Sequence, residues 1–89
     1  MHAVLRVVEF TSETSEEQAL RGLRDQVIPA IEQAPGFVRG TWFGDSTGGH
    51  GLVLFETEQQ ANQEVAQKRP GPAGVRILSS EVYRVQAEA

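Results

Sequence analysis

The chain has 89 residues, 39% of them hydrophobic, with eight Lys and Arg against twelve Asp and Glu and no cysteine. That length encloses one core rather than two, so residues 1–89 read as a single domain with too many apolar residues to be disordered. The formal charge of −4 and the scatter of the basic residues exclude a nucleic-acid partner, which needs clustered Lys and Arg, and the lack of cysteine excludes disulfides and thiolate metal sites.

Two histidines far apart in sequence do not make a metal centre, so no metal is expected. A core this small is marginal on its own, and self-association is the expected support. No apolar run approaches the ~20 residues that span a bilayer, so no membrane partner is expected. The start, MHAVLRVVEF, has no basic segment ahead of its apolar residues and carries Arg6 and Glu9 among them, so it reads as a strand rather than a signal peptide, with the cytoplasm as default location.

Ala3 to Phe10 is valine-rich and predicts a strand, apolar on both parities, which is the pattern of a strand covered on both faces. TSETSEE follows with two overlapping capping boxes, Thr14 with Glu17 and Ser15 with Gln18. From Glu16 to Gln33, Ala19, Leu20, Leu23, Val27, Ile31 and Ala34 step by three or four, the stripe of an amphipathic helix. Gly22 fits that helix badly, and Pro29 removes the bond to the Asp25 carbonyl and predicts a kink near its end. Pro35-Gly36 stops it.

Phe37 to Phe43 and Leu52 to Glu56 read as two strands, with GDSTGGHG between them as a hairpin loop. Thr57 with Gln60 caps a weak helix running to about Lys68, with Ala61, Val65 and Ala66 to bury. RPGPAG breaks the chain, Val75 to Val85 makes a last strand, again apolar on both parities, and the tail QAEA is expected to fray. The order strand, helix, strand, strand, helix, strand predicts an α+β, ferredoxin-like βαββαβ fold, a four-stranded antiparallel sheet with two helices on one face. The other face then needs a cover, and a second copy of the chain supplies one.

The valine-rich first strand, APGF entering the second strand, GLVLFETEQQA where the third strand meets the second helix, and SEVYRV at the end are similar to the antibiotic biosynthesis monooxygenase-like (ABM) group of dimeric α+β barrel proteins. The resemblance runs from about Ala3 to Val85. It implies a homodimer whose two sheets pack face to face, in a group whose members include cofactor-free monooxygenases of polycyclic aromatics, haem-degrading enzymes and many short proteins of unknown activity. Haem-degrading members carry Asn on the first strand with Trp and His further along. Here Arg6 occupies that part of the strand and no histidine falls near the second helix, so that activity does not carry over. No other catalytic set maps onto the chain, and no cofactor is implied.

Three residues stand out as ligand-binding candidates. Arg6 lies mid-strand among valines, and its permanent charge needs a partner, either Glu9, Glu56 or Glu81 across the sheet or the anionic or phenolate group of a ligand. Trp42 offers a stacking face for a flat ligand, or packs in core or interface. Tyr83 can donate to a ligand oxygen or sit in an interface. His50, between glycines, reads as a solvated loop histidine, and His2 as part of a mobile terminus. Two functions follow as expectations: a cofactor-independent monooxygenase or related enzyme acting on a hydrophobic aromatic molecule, or a non-catalytic dimer that binds a small hydrophobic metabolite or a protein partner.

Overall fold

The computed structural model describes residues 1–69 and 71–89, so of the RPGPAG segment only Pro70 lies outside the described residues. Four strands form one antiparallel sheet in the order β2-β3-β1-β4: β1 (His2–Phe10), β2 (Phe37–Asp45), β3 (Gly48–Phe55) and β4 (Val75–Arg84). Between β1 and β2 runs a helix in three continuous pieces, α1 (Glu16–Gly22), a π-helical segment (Leu23–Val27) and α2 (Ile28–Glu32). A second helix, α3 (Glu58–Ala66), joins β3 to β4. The arrangement is α+β, with an antiparallel sheet and two helices, and is compatible with a ferredoxin-like fold.

The starts of the helices follow their caps. Of the two boxes before α1, the chain uses Ser15, whose Oγ accepts the Gln18 N–H at 3.2 Å. At α3 both halves of the Thr57–Gln60 box form, each at 3.2 Å. At Pro29, which has no N–H to offer the Asp25 carbonyl, the preceding turn widens, and the Ile28 N–H reaches back to the Leu23 carbonyl in a π-type bond. Gly22 has a packing reason: a Cβ there would lie 2.7 Å from Pro72 Cγ, so the helix meets the α3–β4 connection at a point where only glycine fits.

Register assigns each strand residue to a face. Across the sheet, Trp42, Gly51, Arg6 and Ser80 form one row, and Gly40, Val53, Val4 and Val82 another on the same side. Val4 and Val53 pack with Ile31 of α2, Ala61 of α3 and the fully buried Phe55, so both helices cover this face. The core sits at the Val4–Phe55 end. Leu23, expected in the core, is only half-buried and faces an unfilled space toward the other end of the sheet.

The hairpin is tighter than the reading of GDSTGGHG as a loop. β2 continues to Asp45 and β3 begins at Gly48, leaving Ser46-Thr47 as the turn. Asp45 Oδ1 accepts from the Thr47 N–H at 2.8 Å and its hydroxyl at 2.6 Å, closing an Asx turn. The glycines are strand residues here. A Cβ on Gly44 would lie 2.3 Å from the Gly48 carbonyl oxygen, so close strand approach, not loop mobility, requires them. His50 is accordingly an exposed strand residue, stacked on Phe43 with ring centroids 5.2 Å apart. His2 is likewise in β1 rather than on a loose terminus, with Nε2 3.3 Å from Glu58 Oε2.

The opposite face of the sheet carries no helix. Phe43, Leu52 and Tyr83 are exposed on it, beside the half-buried Leu5 and Val7. The C-terminal residues do not fray outward. The Val85 N–H bonds to the Met1 carbonyl, and Glu88 pairs with Arg39 on the far edge strand β2. To do so the tail must cross from the β4 edge toward β2 along the row Tyr83, Ala3, Leu54, Arg39, where Ala3 and Leu54 are buried.

Candidate functional site

A cavity of about 640 Å³ lies between the first helix and the helix-covered face of the sheet. It exists because the sheet floor is stripped of side chains there. Gly44, Gly49 and Gly51 occupy the helix-side positions of β2 and β3 and line the space directly. Leu20, Leu23 and Val27 form the helical wall, Val8 and Ile77 part of the sheet wall, and Pro72 one side where it meets Gly22.

Trp42 lies flat over this floor. A Cβ on Gly40 would fall 2.6 Å from the indole ring and one on Gly51 2.7 Å from Nε1, so the two glycines seat the ring on either side. Its edge bearing Nε1 is thus turned toward Gly51, and the next residue in that row is Arg6. Arg6 and Trp42 are brought together in one cavity wall. Tyr83 is on the helix-free face and does not line the cavity; it borders a surface cleft with His2, Glu58 and Arg84.

Arg6 has a different partner from the three carboxylates expected for it. Its Nη1 donates to Glu64 Oε2 at 3.2 Å, its Nη2 to the Glu64 carbonyl at 2.9 Å and its Nε to Ser80 Oγ at 3.3 Å. Glu9 pairs instead with Arg76, and both Glu9 and Glu81 project from the helix-free face, away from Arg6. Glu64 comes down from α3. Its side chain is 2% exposed and is gripped a second time by Arg69, with Nε at 2.7 Å from Oε2 and Nη2 at 2.9 Å from Oε1. That bidentate bond holds the Arg69 guanidinium above its ordinary pKa, against the opposing effect of partial burial.

Glu64 and Arg69 are the residues that reading the sequence missed. Helical spacing held the clue for one of them. Ala61, Val65 and Ala66 are the residues expected to bury from α3, and Glu64, three residues after Ala61, falls on the buried face with it. Arg69 had no such signal, being in the irregular segment after the helix.

Chemically, the cluster can bind and orient but has no free base. Every hydrogen bond Glu64 accepts at its carboxylate comes from a guanidinium, so it is committed to structure. Among the described residues no group of three His, Cys, Asp or Glu side chains is placed to hold a metal ion. No protein-family model matches the chain, and no curated protein matches it.

Proposed function

We propose that this protein binds a flat hydrophobic small molecule in the cavity between helices and sheet. The observation that carries the reading is the cavity itself: about 640 Å³, within the ~300–1,000 Å³ range of ligand sites, with chiefly apolar walls and one small polar cluster. The indole of Trp42 supplies a broad stacking surface along its floor. In the same proposal the chain is a ferredoxin-like, ABM-type domain that forms a dimeric barrel. The helix-free face supports that part. Its exposed Phe43, Leu52 and Tyr83 sit beside two ion pairs made within the chain, Arg39 with Glu88 and Arg76 with Glu9, and the apolar face of a second copy would cover them.

Trp42 is the only tryptophan in the chain, which makes binding directly readable. Titration with naphthalene- or anthracene-type compounds is expected to change its fluorescence saturably and to raise the melting temperature as ligand exceeds Kd. Fluorescence and melting temperature that do not move with any of them would overturn the reading. A second reading, cofactor-free oxygenation of the bound molecule, is supported by the resemblance of the strands and of the β3–α3 junction to ABM proteins. Oxygen uptake stoichiometric with loss of a bound polycyclic phenol tests it, and binding without uptake leaves a non-catalytic carrier.

A further inference from the structure

The Arg6–Glu64–Arg69 cluster does not balance. Two guanidiniums, 17% and 23% exposed, share one carboxylate that is 2% exposed, and both are cavity-lining. Glu64 has spent both oxygens on them, Oε2 on Arg6 and Arg69 and Oε1 on Arg69 alone. Each guanidinium carries five N–H donors. Among the described residues Arg6 places three in protein hydrogen bonds and Arg69 two, from Nε and Nη2, with no bond from Nη1 of Arg69. The other acidic residues bordering the cavity do not correct the surplus. Asp45 is turned into its own Asx turn with Thr47, and Glu16 is exposed at the start of α1; neither makes an ion pair with Arg6 or Arg69 among the described residues. The cavity lining is chiefly apolar, which strengthens an electrostatic interaction made there once water is displaced.

We infer that the ligand of this cavity is a hydrophobic aromatic carboxylate, its ring system on Trp42 and its carboxylate on the unused donors of Arg69 and Arg6. The inference rests on the binding reading above and adds the charge and the polar group. A carboxylate is favoured over a single anionic oxygen because a guanidinium edge presents paired donors at the spacing of two carboxylate oxygens. One unit of surplus positive charge calls for a monoanion. The row that runs Trp42, Gly51, Arg6 fixes the geometry. The indole and the guanidinium are on β2 and β1 with only a glycine of β3 between them, about 10 Å apart at the backbone, the span of a fused bicyclic ring bearing one carboxylate.

The test compares 2-naphthoate with 2-naphthamide, of the same shape but uncharged, by calorimetry and Trp42 fluorescence at neutral pH. The naphthoate is expected to bind at least about tenfold more tightly, a difference of ~1.4 kcal/mol. Arg69→Met should reduce that preference to within about twofold with the amide affinity little changed, Arg69→Lys should keep most of it, and added salt should weaken it. Circular dichroism and melting temperature confirm that each variant is folded. Equal affinities in the wild-type protein would overturn the acid inference while leaving the cavity as a hydrophobic site. A preference that survives in folded Arg69→Met would overturn it too, since the anion would then be seated elsewhere. Failure of both compounds to bind would overturn this inference and the binding reading together.

Discussion

Replacing Glu64 with glutamine keeps the volume of the side chain and removes its charge. Three hydrogen bonds from charged donors are affected, at 3.2, 2.7 and 2.9 Å. One oxygen survives as an acceptor, but an amide N–H₂ now faces guanidinium N–H groups that cannot accept from it. Arg69 recovers part of the loss by turning toward water, whereas Arg6 stays in place, still bonded to the Glu64 carbonyl and Ser80. Breaking a buried pair from one side costs about 3–5 kcal/mol, and the partial exposure of both arginines puts this case at the lower end, ~3 kcal/mol. A domain of this size has ~5–15 kcal/mol in all, so the urea midpoint should fall by roughly a fifth to three fifths. Urea unfolding followed by circular dichroism, at fixed protein concentration, measures it. A loss under about 1 kcal/mol would refute the reasoning, because the two guanidiniums would then not depend on that carboxylate. The triple variant Arg6→Met, Glu64→Leu, Arg69→Met should by contrast be near wild type, since replacing a whole buried charge cluster with apolar groups also removes its desolvation penalty.

Phe55 is fully buried at the centre of the core, and Phe55→Ala should destabilise by roughly 3–5 kcal/mol; a wild-type-like urea midpoint would refute its placement. Gly22→Ala, which in a free helix gains ~1 kcal/mol, should here lower the melting temperature, because the new Cβ falls 2.7 Å from Pro72; a rise would disprove that contact. The Asp45 carboxyl is held below its usual pKa by the side-chain and backbone hydrogen bonds of Thr47, so its contribution is present above the ordinary Asp range and is lost as pH falls through the lowered value. Asp45→Ala should therefore be less stable than wild type at neutral pH and converge with it in acid, and a difference constant across that range would refute the Asx turn. Equilibrium sedimentation at micromolar concentration should give about twice the 9.7 kDa chain mass, reduced to one chain by Phe43→Glu on the helix-free face; a wild-type monomer would refute the dimer.

Element type and order were legible because each element announces itself locally. Thr57 and Gln60 form the box their spacing predicts, and the valine-rich β1 pairs on both edges. Two misreadings have a common cause. GDSTGGHG reads as a loop because glycine permits turns, yet in the fold its glycines are strand positions needed for close approach to Gly48 and for room beneath the indole. Gly22 likewise counts as a helix defect until Pro72 is seen against it. A missing side chain is a signal about what lies opposite, and that partner is distant in sequence.

The site was half legible for the same reason. Arg6 among valines marked itself as a charge in need of a partner, and Trp42 as a large flat side chain. Their meeting in one wall depends on register, through Gly51, which no periodicity reveals. The partner expected on the sheet comes instead from α3, because nothing in the sequence links Glu64, three residues after Ala61 on the buried helical face, to a strand 58 residues away.

The energetics of the cavity connect the fold to its use. A closed void costs ~24 cal/mol per Å³, so about 640 Å³ of sealed apolar space would cost ~15 kcal/mol, as much as the whole stability of a domain this small. The space therefore has to be filled by water when no ligand is present, and it must open to solvent. Yet the fold holds it open actively: the glycines of β2 and β3 strip the floor, the indole lies flat over Gly40 and Gly51 rather than standing up into the space, and the π-helical turn before Pro29 carries Leu23 and Val27 in its wall. Water against Val8, Leu20 and Leu23 is poorly hydrogen-bonded, and displacing it with an apolar body is favourable. The guanidiniums of Arg6 and Arg69 hold water more strongly than those apolar side chains do, so a ligand of the proposed kind gains there by replacing that water with its carboxylate oxygens.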